Sequence, residues 1–252
     1  MSIDTVSQRP PISVVLLAFN EAEVIESVVR DFHTKLVAEI PGSELIVAED
    51  GSTDATPEIL GRLVQEIPEL RLERQQERRG YVNAFKTAMG FAQNELIVFC
   101  DSSGKHDPDD IWKMYPLMAE NELVMGYKVK RADPFYRIVL TKVFNFLVNL
   151  YFGVNFRDID CPLRIYSREA FQDVTAQEWK EKALINFELT LRFKFRGYRI
   201  AQVPVSHRAR EFGESRGLPL KKIPTVIKNV LKGFSNLKKE ISSPGYRKEG
   251  LR

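Results

Sequence analysis

The residues best placed to do chemistry are acidic and hydroxylated side chains that follow short apolar runs. Asn20-Glu21 follows the run 12–17, Glu49-Asp50-Gly51-Ser52 follows 44–48, and Asp101-Ser102-Ser103-Gly104 follows 95–100. In open α/β sheets ligands bind outside the carboxyl ends of the strands, so these side chains are expected to share a site. Ser52, Thr53 and Asp54 also suit a helix N-cap ahead of Pro57, and for Thr53 and Asp54 capping is the leading expectation. Asp50 lies before the cap, at the strand end, where a carboxylate has no capping role. Two cysteines, Cys100 and Cys161, are too few for a disulfide framework, and with His33, His106 and His207 they show no zinc-site spacing. Gly80 alone does not make a dinucleotide fingerprint, and no Gly-rich phosphate loop occurs.

The elements that must position these residues alternate. Apolar runs at 12–17, 44–48, 70–74 and 95–100 are separated by helical patterns at 21–38, 54–66 and 80–92, the rhythm of βαβ units around a mostly parallel sheet. Further strands are expected at 122–127 and 199–207, with a helix at 183–195 between them. The 252 residues, 44% hydrophobic and 28% charged, suffice for one large domain. The net charge of +3 hides a split: residues 1–127 carry 11 Lys and Arg against 22 Asp and Glu, and residues 128–252 carry 26 against 12. A basic half suits nucleic acid, an anionic membrane or a phosphorylated substrate, and composition does not choose among them.

Two segments of that half stand out. From Phe135 to Phe152 the polar residues Arg137, Thr141, Asn145 and Asn149 recur every four positions, marking one narrow stripe on an otherwise apolar helix. The apolar arc is too wide for a free surface helix, which leaves a core position, a dimer interface or a bilayer interface. At 220–237, Pro224 suits a first helical turn, and Val226, Ile227, Val230, Leu231, Phe234 and Leu237 share a face. From Arg216 to Lys239 there are seven Lys or Arg and no acid, a composition suited to anionic lipid headgroups. Residues 1–10 and 242–252 are expected to be loose. The N-terminus lacks a signal pattern and no apolar run is long enough to span a bilayer, so the expectation is a cytoplasmic protein held peripherally on the cytoplasmic face of a membrane.

Taken in order, Leu17-Ala18-Phe19-Asn20-Glu21, Glu49-Asp50-Gly51-Ser52-Thr53-Asp54, Gly80-Tyr81-Val82-Asn83-Ala84, Asp101-Ser102-Ser103, Asp158-Ile159-Asp160-Cys161-Pro162-Leu163-Arg164 and Gly213-Glu214-Ser215-Arg216 resemble the family-2 inverting glycosyltransferases. Within that family the pattern is most similar to the dolichyl- and polyprenyl-phosphate sugar synthases, of the dolichol-phosphate mannosyltransferase kind, and the resemblance runs over roughly residues 10–235. It implies a GT-A fold of Rossmann-like α/β class, with a nucleotide-sugar half (11–127), an acceptor half (128–215) and a basic amphipathic helix (216–241).

By this resemblance, Leu17, Phe19, Asn20, Glu21, Asp50, Gly80, Asp101, Ser102, Ser103 and Lys128 would hold a GDP- or UDP-sugar. Phe19 stands where the family usually has Tyr. Asp101 falls on the first position of the family's Asp-x-Asp, whose carboxylates hold Mg2+ or Mn2+ against the diphosphate, and Ser103 falls on the second. Lys105 follows two residues later, where its ammonium would repel a cation and itself neutralise part of the diphosphate; alternatively, Asp101 binds the ion with waters and diphosphate oxygens. Arg164, Arg210 and Arg216 match family cations and would grip phosphate. Asp101, Lys105 and Arg164 are thus the expected catalytic residues, and a homodimer or a membrane-anchoring partner is compatible with the apolar segment.

The expected reaction transfers the sugar to a polyprenyl or dolichyl phosphate with inversion. A sugar hydroxyl acceptor would instead require a base, for which Asp158, Asp160 and Glu188 are candidates. A non-catalytic sugar-nucleotide-binding membrane scaffold is the third reading. Nucleic-acid binding is excluded by the lack of stacking or groove-reading motifs.

Overall fold

The structure, a computed structural model, describes residues 9–129, 131–176, 184–209 and 233–247. The first half alternates as its hydrophobic pattern dictates: β1 (Ile12–Ala18), α1 (Ile25–Phe32, running on into a π-helical turn at His33–Val37), β2 (Glu44–Asp50), α2 (Thr56–Glu66), β3 (Leu70–Gln75), α3 (Tyr81–Phe91) and β4 (Leu96–Asp101). The second half adds α4 (Ile111–Met114), β5 (Leu123–Lys128), α5 (Phe135–Phe152), β6 (Arg164–Ser167), α6 (Arg168–Thr175), α7 (Ile185–Arg196) and β7 (Ile200–Val205).

The seven strands form one sheet in the order β3-β2-β1-β4-β6-β5-β7. All neighbours are parallel except for β6, which runs antiparallel to both β4 and β5. Every residue of β1 is buried, because helices cover both faces of the sheet. On one face Ile25, Val29, Leu60, Leu63, Ile111 and Met114 of α1, α2 and α4 pack on the strands. On the other, Phe85 and Met89 of α3, Phe171 of α6, and Leu189 and Phe193 of α7 do so. This is the α/β architecture expected, with a central mostly parallel sheet and helices on either side. The segment 164–175, which forms β6 and α6, has no counterpart in the sequence expectations: β6 is four residues long, too short for a period-of-two pattern to show.

A third apolar cluster joins α5 and α7 to a helical segment at 233–241, through Val148, Phe152, Phe187, Phe234, Leu237 and Ile241. The Phe187 and Phe234 rings stack at 4.9 Å. The segment expected as a lipid-facing helix at 220–237 therefore buries its described end in protein; residues 220–232 lie outside the described residues, as do Arg210 and Arg216. Tyr246, expected in a loose tail, is buried, and its carbonyl accepts a 2.6 Å hydrogen bond from Arg196.

Helix α5 has the expected bounds but an inverted arrangement. Its polar stripe turns inward: Asn145 Oδ1 accepts the N–H of Ile159 at 3.0 Å, and the amide of Asn149 exchanges two 2.9 Å hydrogen bonds with the backbone of Phe156. Its apolar arc turns outward, with Phe135 80%, Phe146 64% and Leu150 70% exposed. Among the described residues no helix is long and apolar enough to cross a membrane.

Candidate active site

The strand ends of β1, β2 and β4 are laced together before they offer anything to a ligand. Asn20, in the left-handed region at φ 53°, donates its N–H to Ser52 Oγ at 2.8 Å and accepts the N–H of Thr53 on its side-chain oxygen at 2.7 Å. Asn thus acts here as the turn residue that tolerates this conformation. Asp54 joins the same clasp, accepting N–H groups from Thr56 at 3.0 Å and Ala22 at 3.2 Å, so it caps α2 from one residue outside the formal N-cap Ala55. Thr53 makes no cap bond to α2 and serves Asn20 instead.

Asp50 has a structural task that its place at a strand end did not reveal. Its two carboxylate oxygens accept the N–H groups of Arg79 at 2.8 Å and Gly80 at 2.9 Å, which holds the loop ahead of α3 against β2. Gly51 permits that approach: at φ +68° a Cβ there would sit 2.5 Å from the backbone nitrogen of Arg78. Ser102, buried, donates its hydroxyl to the Leu17 carbonyl at 2.6 Å and locks the ends of β1 and β4 together.

Two cavities open beside this framework, and Tyr81 and Asp101 line both. The larger, about 320 Å³, is bounded by Leu17, Phe19, Glu21, Asp50, Arg78 and Ser103. Its flat apolar wall is Phe19, with the Arg78 guanidinium 4.1 Å above the ring. The smaller, about 210 Å³, is completed by Asp160, Ile185 and Asn186. At the junction the Tyr81 hydroxyl donates a 3.0 Å hydrogen bond to Asp101 Oδ1. Burial raises the pKa of Asp101, against the pull of that hydroxyl and of the Lys128 and Lys105 charges. Burial likewise pushes Asp160 up to about 6, opposed by Lys128 and Arg164. Tyr81 is held well above the usual phenol range by burial and by the Asp101 charge.

A cationic wall stands behind Asp101. Lys128 Nζ lies 3.0 Å from Asp158 Oδ2, both nearly buried. Burial works against the charge on Lys128, but Cys161 and Asp158 outweigh it and hold the ammonium pKa above its ordinary value. Lys105 Nζ lies 3.6 Å from Asp133, which also receives Arg131 at 2.8 Å. Lys105 is therefore neither a solvent-facing cation nor a bare one: Asp133 holds it while its charge acts on Asp101.

Three expected site residues do other work. Arg164 is fully buried and spends its guanidinium on the protein, donating to the carbonyls of Ile159, Cys161 (2.6 Å) and Asn186 (3.0 Å) and to Thr190 Oγ1 (2.7 Å). The expectation that it grips phosphate is corrected: it ties the loop carrying Asp158 and Asp160 to α7. Glu188 is buried in an ion pair with Arg192 at 2.7 Å and does not line the cavity. Asn20 is the clasp described above. Conversely, Arg78, Tyr81, Ile185 and Asn186 line the cavities without having been singled out. Tyr81 was within reach, being the first residue of the helix that Gly80 opens.

Among the described residues no three His, Cys, Asp or Glu side chains gather to hold a metal ion. The oxygen donors present, Asp101 and the hydroxyl of Ser103 on the larger cavity and Asp101, Asp160 and the Asn186 amide on the smaller, are of the kind that Mg2+ or Mn2+ takes.

The model of glycosyl transferase family 2 matches residues 13–175. The chain is 32% identical over 206 residues to the glycosyltransferase AglD of Haloferax volcanii, an alignment covering 77% of this chain and 32% of that protein. This chain thus spans about a third of that relative's length. It is 28% identical over 229 residues to the dolichyl-phosphate hexose transferase of the same organism, covering 88% of this chain and 92% of that one. In fold it is similar to glucosyl-3-phosphoglycerate synthase from Mycobacterium tuberculosis, solved with Mn2+, UDP and glucosyl-3-phosphoglycerate, at a TM-score of 0.68 and 22% identity, covering 90% of this chain and 80% of that one. With the strand-end cavities in place and the family model spanning β1 to α6, the chain belongs to glycosyl transferase family 2 and is related to the polyprenyl-phosphate sugar transferases.

Proposed function

We propose that this chain transfers a sugar from a GDP- or UDP-sugar to a polyprenyl phosphate, with inversion at the anomeric carbon, at the face of a membrane. The larger cavity receives the nucleotide: the Arg78 guanidinium, itself stacked 4.1 Å over the Phe19 ring, offers its outer face and its charge to the base and phosphates, and Glu21 can accept hydrogen bonds from base N–H or ribose hydroxyls. Asp101 stands where the sugar diphosphate would pass from this cavity toward the smaller one.

The observation that carries the acceptor assignment is the outward apolar arc of α5, which begins seven residues after Lys128 and carries Arg137 and Lys142 but no acid. Such a face suits a bilayer interface, and it would deliver a lipid-borne phosphate beside the Lys128, Lys105 and Arg131 wall. The dolichyl-phosphate hexose transferase of Haloferax volcanii, 92% of which the alignment covers, has a dolichyl phosphate in its name.

In the reaction a phosphate oxygen of the lipid attacks the anomeric carbon while the bond from that carbon to the nucleoside diphosphate breaks, its electron pair leaving with the diphosphate. A phosphate nucleophile is ionised at neutral pH and needs no base. Lys128 and Lys105, fixed by Asp158 and Asp133, offset charge as it gathers on the leaving group. When bound, a divalent cation held by Asp101 would add positive charge against the diphosphate.

The test is a transfer assay with radiolabelled UDP- and GDP-sugars and a short polyprenyl phosphate in detergent. Label in the organic phase is expected from one donor. Donor consumption without organic-phase label would replace the lipid phosphate by a hydroxyl acceptor.

A further inference from the structure

The turn after β4 offers one carboxylate, Asp101, and a serine, Ser103, at the position where the Asp-x-Asp pattern has its second carboxylate. A hydroxyl is the poorer ligand for a hard cation. The missing charge reappears across the smaller cavity, where Asp160 and Asn186 face the same space as Asp101.

Asn186 supplies an independent sign that this space is meant to hold something. It is 4% exposed, and its Oδ1 has no hydrogen-bond partner among the described residues. A buried carbonyl oxygen left without a partner is costly, and native structures seldom leave one so. The hydroxyl that Tyr81 could have offered is spent on Asp101. The Asn186 backbone carbonyl is likewise fixed, by Arg164, so the side chain is held at the cavity rather than free to seek solvent.

The charges point the same way. Lys128 is matched by Asp158, while Lys105 and Arg131 share Asp133. Among the described residues neither Asp101 nor Asp160 has a cation at ion-pair distance. Two carboxylates and an amide oxygen around a cavity of about 210 Å³ form an acceptor-only, oxygen-only donor set with negative charge to spare. That is the chemistry of a site for Mg2+ or Mn2+, which are satisfied by one or two carboxylates and complete their shell with water or substrate oxygens.

We propose that Asp160 and the Asn186 side-chain oxygen complete, with Asp101, a divalent-cation site in the smaller cavity, Asp160 taking the place of the carboxylate that Ser103 lacks. The assignment rests on reading the Asp101 turn as the diphosphate-binding turn, and it does not depend on the lipid acceptor. It also gives Arg164 and Asn145 a part as positioning residues: one holds the carbonyls of Ile159 and Cys161 on either side of Asp160, and the other holds the Ile159 amide.

The test is Mn2+ binding to the full chain, read from the electron paramagnetic resonance of free Mn2+, with and without UDP or GDP. Asp160→Asn and Asp101→Asn are each expected to weaken binding about tenfold or more, Asn186→Leu less, and Ser103→Ala by under about twofold, since affinity follows the charge and number of oxygen ligands. Asn186→Asp adds a carboxylate and is expected to tighten binding. Thermal unfolding of each variant separates a lost ligand from a lost fold. Wild-type Mn2+ affinity in both Asp160→Asn and Asn186→Asp overturns the proposal, as does the absence of Mn2+ binding by the wild type with nucleotide present. Mn2+ binding that follows this pattern in a protein that fails to label polyprenyl phosphate would leave the cation site standing and remove only the acceptor assignment.

Discussion

Asn145 on α5 and Ile159, between the two aspartates, are joined by a 3.0 Å hydrogen bond from the Ile159 amide to the Asn145 side-chain oxygen. Both residues are buried, so the helix that presents its apolar arc outward also fixes the backbone that carries Asp158 and Asp160. Replacing Asn145 by Leu keeps the size and removes the acceptor. The expected result is a loss of about 1–3 kcal/mol in urea unfolding, the cost of leaving a buried N–H unpaired, together with reduced turnover.

Arg164→Met distinguishes a tether from a phosphate ligand. Three carbonyls and a hydroxyl lose their donor together, so a loss on the order of 3–5 kcal/mol, or failure to fold, is expected. A phosphate ligand would lose activity at unchanged urea midpoint.

Tyr81→Phe removes the inward hydroxyl that meets Asp101 and leaves the ring of a residue that is 37% exposed. Unfolding is expected to stay within about 1 kcal/mol of wild type. The Asp101 carboxylate loses its fixed orientation, and kcat/KM is expected to fall about tenfold, the equivalent of one hydrogen bond at the reacting centre.

Stability should fall in mild acid because of His106 and His207. Burial, with the charges of Lys128, His207 and Lys105 adding to it, pushes His106 from 6.5 down to about 3. Burial also pushes His207 down to about 4, against the attraction of Asp133 and with Lys128, Lys105 and Arg131 adding to the effect. The Ser206 backbone acts in the opposite sense on His106. As pH falls below about 6.5 these two imidazoles take up protons in the unfolded chain and not in the folded one, so their contribution lowers folding stability; below about pH 6 the raised Asp160 and Asp101, which protonate first in the folded chain, offset part of that loss. Thermal midpoints measured from pH 7.5 to 4.5 should show this slope, and His106→Asn should flatten it.

On α5, Phe146→Glu combined with Leu150→Glu places charge on two of the most exposed apolar positions. The thermal midpoint is expected to change little, because neither side chain is in the core. Co-sedimentation with vesicles of anionic phospholipid is expected to drop sharply relative to wild type. Retained co-sedimentation would move the membrane contact away from this helix.

What could be read from residue order and what could not divide along physical lines. The strands β1, β2 and β4 and the helix α5 announce themselves because long apolar runs and a four-residue polar spacing are local patterns. Asp101 was legible as a cavity residue because strand ends in such a sheet converge, and Phe19 through the family resemblance alone. Arg164 was misread because an arginine in a motif looks alike whether it meets phosphate or backbone carbonyls, and only burial separates the two. Asn145 and Asn149 posed the converse difficulty: a polar stripe suggests water, yet here it satisfies backbone groups of the neighbouring loop. Asn186 carried no local signal, since its importance comes from the cavity that distant strands and α7 enclose.

The lone antiparallel strand constrains the order in which the molecule can assemble. β5 emerges from the chain before β6, yet among the described residues its sheet neighbours are β6 and β7, while β1 to β4 find their mutual partners within the first 101 residues. During synthesis the amino-terminal sheet can close early, with the β4 edge and the whole of β5 left unpaired until Arg164–Ser167 slots between them. Those four residues act as a keystone: until they arrive, the β4 edge and both edges of β5 are exposed to rival pairings.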